Sequence, residues 1–242
     1  MLFNEKAESN AMKTLGMIGG VGPESTIDYY KNIIALYRER QRDGSYPQFF
    51  INSINLQKGI DFLEANNLAG MTDFLLDEIE KLPQAGAEFG IIAANTPHIV
   101  FDEVAARSPI PFVSIVEATC GHAKLRGFKR LALFGTRYTM RADFYQKVFA
   151  REGIELVVPE LKDQDYIHEK YFAELVPGIF LSETRSGLLA IVDRMKAENA
   201  IEGVTLAGTE LALILRGESH NGVALLDTGK IHCQAAVNEM LK

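Results

Sequence analysis

Ala93-Ala94-Asn95-Thr96-Pro97-His98 and Leu206-Ala207-Gly208-Thr209-Glu210-Leu211 decide the fold. The first follows the apolar run Phe89 to Ala93, the second follows Gly203 to Ala207, and each opens a segment with helical patterning. Short apolar runs of this kind suit strands covered on both faces, as in parallel sheets. Small polar residues directly after such strands stand where an open α/β sheet presents groups to a ligand.

The same strand, turn and helix unit recurs along the chain. Leu15 to Ile18 leads into Gly19-Gly20-Val21-Gly22-Pro23 and a helical stretch from Ser25 to Arg40. Further strands are expected at Phe49 to Ile54, Pro111 to Ile115, Arg130 to Phe134, Leu156 to Val158 and Gly222 to Leu226. Helices are expected over 71–84, 116–125, 142–151, 165–175, 185–198 and 228–241. Leu15 to Thr26 is echoed by Leu131 to Thr139, and Phe89 to His98 by Gly203 to Leu211. Alternating strands and helices with an internal repeat predict an α/β protein of two pseudo-symmetric parallel-sheet domains facing a cleft. The first domain is expected to comprise 12–109 plus 219–242, and the second 110–218.

Composition narrows the function classes. The chain has 242 residues, 47% of them hydrophobic and 24% charged, ordinary for a soluble globular protein. A formal net charge of −7 without a Lys/Arg-rich block argues against a nucleic-acid partner. No apolar run is long enough to span a membrane. Residues 1–11 are polar, and Ser9-Asn10-Ala11 before Met12 reads as a cloning remnant, so Met12 is the expected start and 1–11 a tag or leader. Cys120 and Cys233 form no metal-ligand spacing, and a reducing cytoplasm is the expected location.

Within the turns, two uses of each residue stay open. Asn95, Thr96, Thr209 and Glu210 can anchor carboxylate and ammonium groups, or cap the helices that follow. Their presence in both halves favours a shared cleft. His98 can act as an acid or base near neutral pH, or serve structurally. Gly135-Thr136 with Thr139 can hold an anion or cap a helix. Arg137, Lys162 and Lys170 are candidates to face a side-chain carboxylate, or solvated surface charges. The glycine turn at 19–22 lacks the spacing of nucleotide-binding loops.

Taken together, Lys13 to Gly20 with Glu24-Ser25-Thr26, Ala85 to Glu88, Asn95-Thr96 with His98, Phe134-Gly135-Thr136-Arg137-Tyr138-Thr139-Met140 with Asp143-Phe144-Tyr145, Thr209-Glu210, and Asp227-Thr228 with Ile231-His232 carry a resemblance. From Met12 to Lys242 the chain resembles the aspartate/glutamate racemase family. The resemblance implies inversion at the α-carbon of a small acidic amino acid or related carboxylate, no metal or cofactor, and a homodimer. It also implies substrate-binding positions at Gly20, Val21, Ser53, Asn95, Thr96, Gly135, Thr136, Thr139 and Thr209. Members of that family carry a catalytic cysteine directly before Asn-Thr and another before Thr-Glu. Here those positions hold Ala94 and Gly208, so the two-thiol relay lacks both groups. Three readings follow. In one, an enzyme takes its proton shuttles from His98, Glu210, Thr96, Thr209 or water. In another, a related isomerase or lyase uses the same turns. In the third, a non-catalytic protein binds a small carboxylate metabolite or a partner protein. A further reading makes Ala94 or Gly208 an introduced change.

Overall fold

The structure, a computed structural model, describes residues 12–242, so the expected tag or leader lies outside the described residues. Nine strands form two sheets. In chain order they are β1 (Leu15–Gly19), β2 (Phe49–Ser53), β3 (Phe89–Ile92), β4 (Phe112–Val113), β5 (Arg130–Gly135), β6 (Glu155–Val157), β7 (Gly203–Ala207), β8 (Ser219–His220) and β9 (Val223–Asp227). The first sheet runs β2-β1-β3-β4, and the second runs β6-β5-β7-β9-β8. Every pairing is parallel except β8 with β9. Apart from that antiparallel edge, one order is the other repeated, with β1 equivalent to β5 and β3 to β7. The expected two-sheet, pseudo-symmetric α/β architecture is what the chain forms.

The central strands explain themselves. β1, β3 and β7 are buried at every position because helices cover both faces of each sheet. One face of the first sheet packs Leu15, Met17, Phe89 and Ile91 against Tyr29, Ile33 and Tyr37 of the helix Pro23–Gln41. The C-terminal helix Thr228–Met240 closes the same core with Cys233, Ala236, Val237 and Met240.

Strand membership moves both expected domain crossings. β4 lies beyond residue 110 yet pairs with β3 of the first sheet, Gly90 opposite Phe112 and Ile91 opposite Val113. Pro111 is no obstacle there, because its carbonyl accepts from Gly90 N–H at 2.8 Å and it lies just before the strand at the sheet's edge. The chain leaves the first sheet at Ser114, whose hydroxyl caps the helix Ile115–Leu125. At the far end, β8 and β9 belong to the second sheet, so the return falls at Asp227–Thr228 rather than before Ser219. Asp227 marks that return by accepting from Lys230 N–H at 2.9 Å as the helix cap.

Two helical segments depart from the expected pattern. Leu56–Glu64 forms a helix where no element is expected, capped by Asn55 through Gln57 N–H. The helix Leu161–Lys170 continues into a π-helical turn, Tyr171–Leu175, closed by a Val176 N–H to Tyr171 carbonyl bond of 2.9 Å. Such wide turns shift the side chains after them by a residue and recur at functional sites.

Candidate active site

The four turns leaving β1, β3, β5 and β7 meet between the sheets, and they meet in crossed pairs. Thr96 after β3 lies 2.9 Å from Thr136 Oγ1 and 3.2 Å from Thr139 Oγ1, both after β5. Ser25 after β1 lies 2.6 Å from Thr209 Oγ1 and 2.5 Å from Glu210 Oε1, both after β7. Crossed pairing is what a pseudo-twofold between the sheets produces. Ser25, Thr209 and Glu210 are all buried, so these bonds seal one side of the junction away from water.

A cavity of about 40 Å³ remains between the turns. Val21, Ala94, Asn95, Thr96 and Thr136 line its inner end. Space of that size holds a few waters rather than an amino acid. The helix Leu56–Glu64 and the π-turn close its outer side.

Asn95 is held rigidly. Its amide donates to Thr228 Oγ1 at 3.1 Å and accepts from the Tyr145 hydroxyl, both groups buried. Tyr145 belongs to the Asp-Phe-Tyr stretch, so that motif acts on the site by fixing Asn95.

The two cysteine positions are filled differently. The Ala94 methyl lines the cavity. Gly208 has no space beside it: a Cβ there would lie 2.6 Å from Tyr171 Cε2 and 3.2 Å from Tyr171 Cζ. The aromatic ring therefore occupies the volume that a side chain at 208 would need. Its hydroxyl donates to Glu210 Oε2, and Thr209 Oγ1 is 3.1 Å from the same oxygen. Burial raises the Glu210 carboxyl above its ordinary value of 4.5, against the lowering effect of bonds from Ser25 and Tyr171. Burial, reinforced by the Glu210 charge, pushes the Tyr171 phenol well above its ordinary value of 10.0. Gly22 permits this arrangement: it sits at φ 107°, and a Cβ there would run into the Glu210 carboxyl.

His98 does not face the cavity. Its Nδ1–H donates to Ala94 carbonyl at 2.9 Å, and its Nε2 accepts from Ile115 N–H at 3.2 Å. The ring stacks on Phe101 with centroids 4.8 Å apart. Burial, then the neighbouring His232, pulls its pKa down to about 3. With both nitrogens committed to backbone in a neutral ring, His98 braces the turn and is corrected from a candidate acid/base to a support.

The remaining candidates divide. Thr136 caps the helix Arg137–Arg141 and reaches Thr96 as well, so capping and site-building coincide. Thr139 and Gly135 lie beneath it, buried. Gly20 packs against Ser53 Oγ, where its Cβ would sit 2.6 Å away, and Ser53 is exposed outside the cavity. The three cations are engaged elsewhere: Arg137 with Asp165 at 3.3 Å, Lys162 with Glu160 at 3.0 Å and Lys170 with Glu174 at 2.5 Å. None lines the cavity. Cys120 and Cys233 are buried, burial lifting the first to about 11 and the second well above its usual range. Among the described residues no group of three His, Cys, Asp or Glu side chains could hold a metal ion, and no helix is long and apolar enough to cross a membrane. Sequence reasoning did not single out Tyr171 or the apolar residues 56, 60 and 63, and it met Ser25 only within the Glu24-Ser25-Thr26 match, without a role. Residues 56, 60 and 63 recur at helical spacing, a signal present in the sequence.

The chain belongs to the Asp/Glu/Hydantoin racemase family, which its residues 18–236 match. An aspartate racemase homologue from Pyrococcus horikoshii is 34% identical, with a TM-score of 0.81 over 96% of this chain and 100% of that one. The Picrophilus torridus aspartate racemase, at 20% identity, shares the fold with a TM-score of 0.79 over 94% of each chain. The broad specificity amino-acid racemase RacX of Bacillus subtilis is 27% identical over 150 residues, 59% of this chain. That match spans 63% of the RacX length.

Proposed function

We propose that the chain is a cofactor-independent isomerase that moves the α-proton of a small amino acid without cysteines. The observation that carries this is the Tyr171–Glu210 pair, a phenol hydrogen-bonded to a buried carboxyl on the face where the second thiol is missing. The α-carbon to hydrogen bond breaks as the proton passes to the Tyr171 oxygen while the phenolic proton moves to the Glu210 carboxylate. Burial raises the Glu210 carboxyl pKa, which makes its carboxylate a stronger base toward that proton. The electron pair left on the α-carbon delocalises into the substrate carboxyl, held by the Asn95 and Thr96 turn. Reprotonation from the opposite face comes from a water held by the Thr96 and Thr136 hydroxyls, and the hydroxide so formed takes a proton back from solvent as Glu210 releases the one it gained. The same reading takes the protein as a cytoplasmic homodimer.

The test is proton NMR of L- and D-amino acids in D2O, following loss of the α-proton signal. Exchange that falls by about 100-fold or more in Tyr171→Phe and Glu210→Gln supports the relay, since a positioned acid/base contributes about that much. Thr96→Val should then slow inversion more than exchange with retention. A second reading, a non-catalytic carboxylate binder, is favoured by the Ala94 methyl and the filled space beside Gly208. It predicts ligand-dependent stabilisation with no exchange for any amino acid.

A further inference from the structure

The cavity beside Ala94 is walled by elements of opposite character. Asn95, Thr96 and Thr136 of the turns supply hydroxyl and amide groups. Leu56, Ile60 and Leu63 come from one helix, Phe172 from the π-turn and Val176 from the residue that follows it. No lysine, arginine or histidine lines it. The cations expected to meet a side-chain carboxylate are paired with Asp165, Glu160 and Glu174, and Arg137 lines a separate, neighbouring pocket that shares Ile60 and Phe172 with this one. A carboxylate pushed among these walls would lose its hydration and gain no opposite charge.

The roof residues point to what belongs there. Leu56, Ile60 and Leu63 follow one another at i, i+4 and i+7 and so share a face of the helix Leu56–Glu64. Each is only half-buried, and Gly59 is the one residue of that helix that is fully buried. Their apolar face therefore closes over the cavity without being filled. A side chain inserted beneath them would complete their burial, which is favourable in proportion to apolar area.

Resting on the reading that this cleft binds an amino acid through its α-carboxylate and ammonium groups, we infer that the bound amino acid carries an apolar side chain, such as leucine or methionine, and not a second carboxylate. The polar turns hold the groups common to every amino acid. The helix Leu56–Glu64 and the π-turn select the side chain, with the helix shifting outward to admit it. Ile60 and Phe172 are the specificity-determining positions.

Isothermal titration of the full-length protein with L- and D-leucine, methionine, aspartate and glutamate tests this without requiring turnover. Leucine or methionine is expected to bind at least tenfold more tightly than aspartate, about 1.4 kcal/mol. Ile60→Arg should weaken leucine at least tenfold and bring aspartate above it, because the new cation faces the space the side chain fills. Aspartate or glutamate binding as tightly as leucine overturns the inference and leaves the cleft reading standing. Leucine binding unchanged in Ile60→Arg also overturns it, by removing the side chain from this cavity. Failure of all eight ligands to bind overturns the cleft reading and the inference with it.

Discussion

The turn after β3 and the turn after β7 hold equivalent places in two sheets of the same strand order, yet they are supported from opposite sides. Behind Ala94, the neutral His98 ring ties the Ala94 carbonyl to the backbone of Ile115 and leaves the cavity side free. In front of Gly208, the Tyr171 ring fills the cavity side itself and passes its hydroxyl to Glu210. Ala94 thus presents only a methyl to the cavity. Gly208 is matched by an aromatic side chain, a buried acid and a glycine at 22 that makes room for that acid. The second turn is built around a pair of polar atoms, whereas the first offers none at the equivalent position. Ser25, Thr209, Glu210 and Tyr171 form one buried hydrogen-bond cluster.

The largest effect separating the two turns should come from His98→Ala. It leaves the Ala94 carbonyl and Ile115 N–H buried without partners and removes the ring from Phe101. The expected loss is about 3 kcal/mol in urea unfolding at pH 7. The native pKa is near 3 against an unfolded value near 6.5, so the unfolded chain binds more protons between those limits. Native stability therefore falls as pH drops through that window, and His232, held near 4, adds to the same slope. Removing His98 should flatten the slope below pH 6.5. A slope unchanged by the substitution would mean the ring is protonated in the folded protein.

Gly208→Cys probes the other turn and should cost about 1–3 kcal/mol through overpacking against Tyr171. The cost should shrink when Tyr171→Ala is combined with it, giving a favourable coupling in a double-mutant cycle. Additive costs would refute the idea that ring and thiol compete for one volume. Glu210 supplies a smaller, pH-dependent contrast. Its folded pKa lies above 4.5, so the folded state binds the extra proton and stability declines as pH rises from 4.5 through the folded value. This slope is opposite in sign to that of His98. Glu210→Gln should remove it while keeping the side-chain volume and one of the two bonds donated by Ser25 and Tyr171, and denaturant midpoints between pH 4.5 and 8 read it directly.

These contrasts bear on how far the chain could be read before its structure. The alternation of buried strands and turns gave away both sheets, because burial on two faces imposes mainly apolar runs at β1, β3, β5 and β7. The crossing points were harder, since β4 is only two residues long and its pairing depends on a Gly90 contact with no local signature. Thr96, Thr136 and Thr209 were legible because they follow strands. Tyr171 was not, because it reaches Gly208 from a distant helix through a π-turn whose extra residue leaves no periodic trace. His98 illustrates the converse: its sequence position suits an acid/base, and only the backbone partners at Ala94 and Ile115 reveal a brace. Roles fixed by long-range contact escape a local pattern.

The smallest structural change sharpens the comparison most. Ala94→Cys adds one sulfur on the cavity side of a turn that is braced from behind, so stability should move by less than about 1 kcal/mol. The chemical effect should be larger than the structural one. A thiol at 94 restores an acid/base on that face, and α-proton exchange of a bound amino acid should rise at least tenfold over the starting chain. Gly208→Cys alone should give no such gain, because its sulfur has to displace the Tyr171 ring and break the bond to Glu210. Ala94→Cys combined with Gly208→Cys should therefore exchange no faster than Ala94→Cys, until Tyr171→Ala clears the second face. NMR exchange rates for these four variants decide the matter. Equal gains from the two single cysteines would mean that the turns are still interchangeable, and that the Tyr171–Glu210 pair has not taken over the second face.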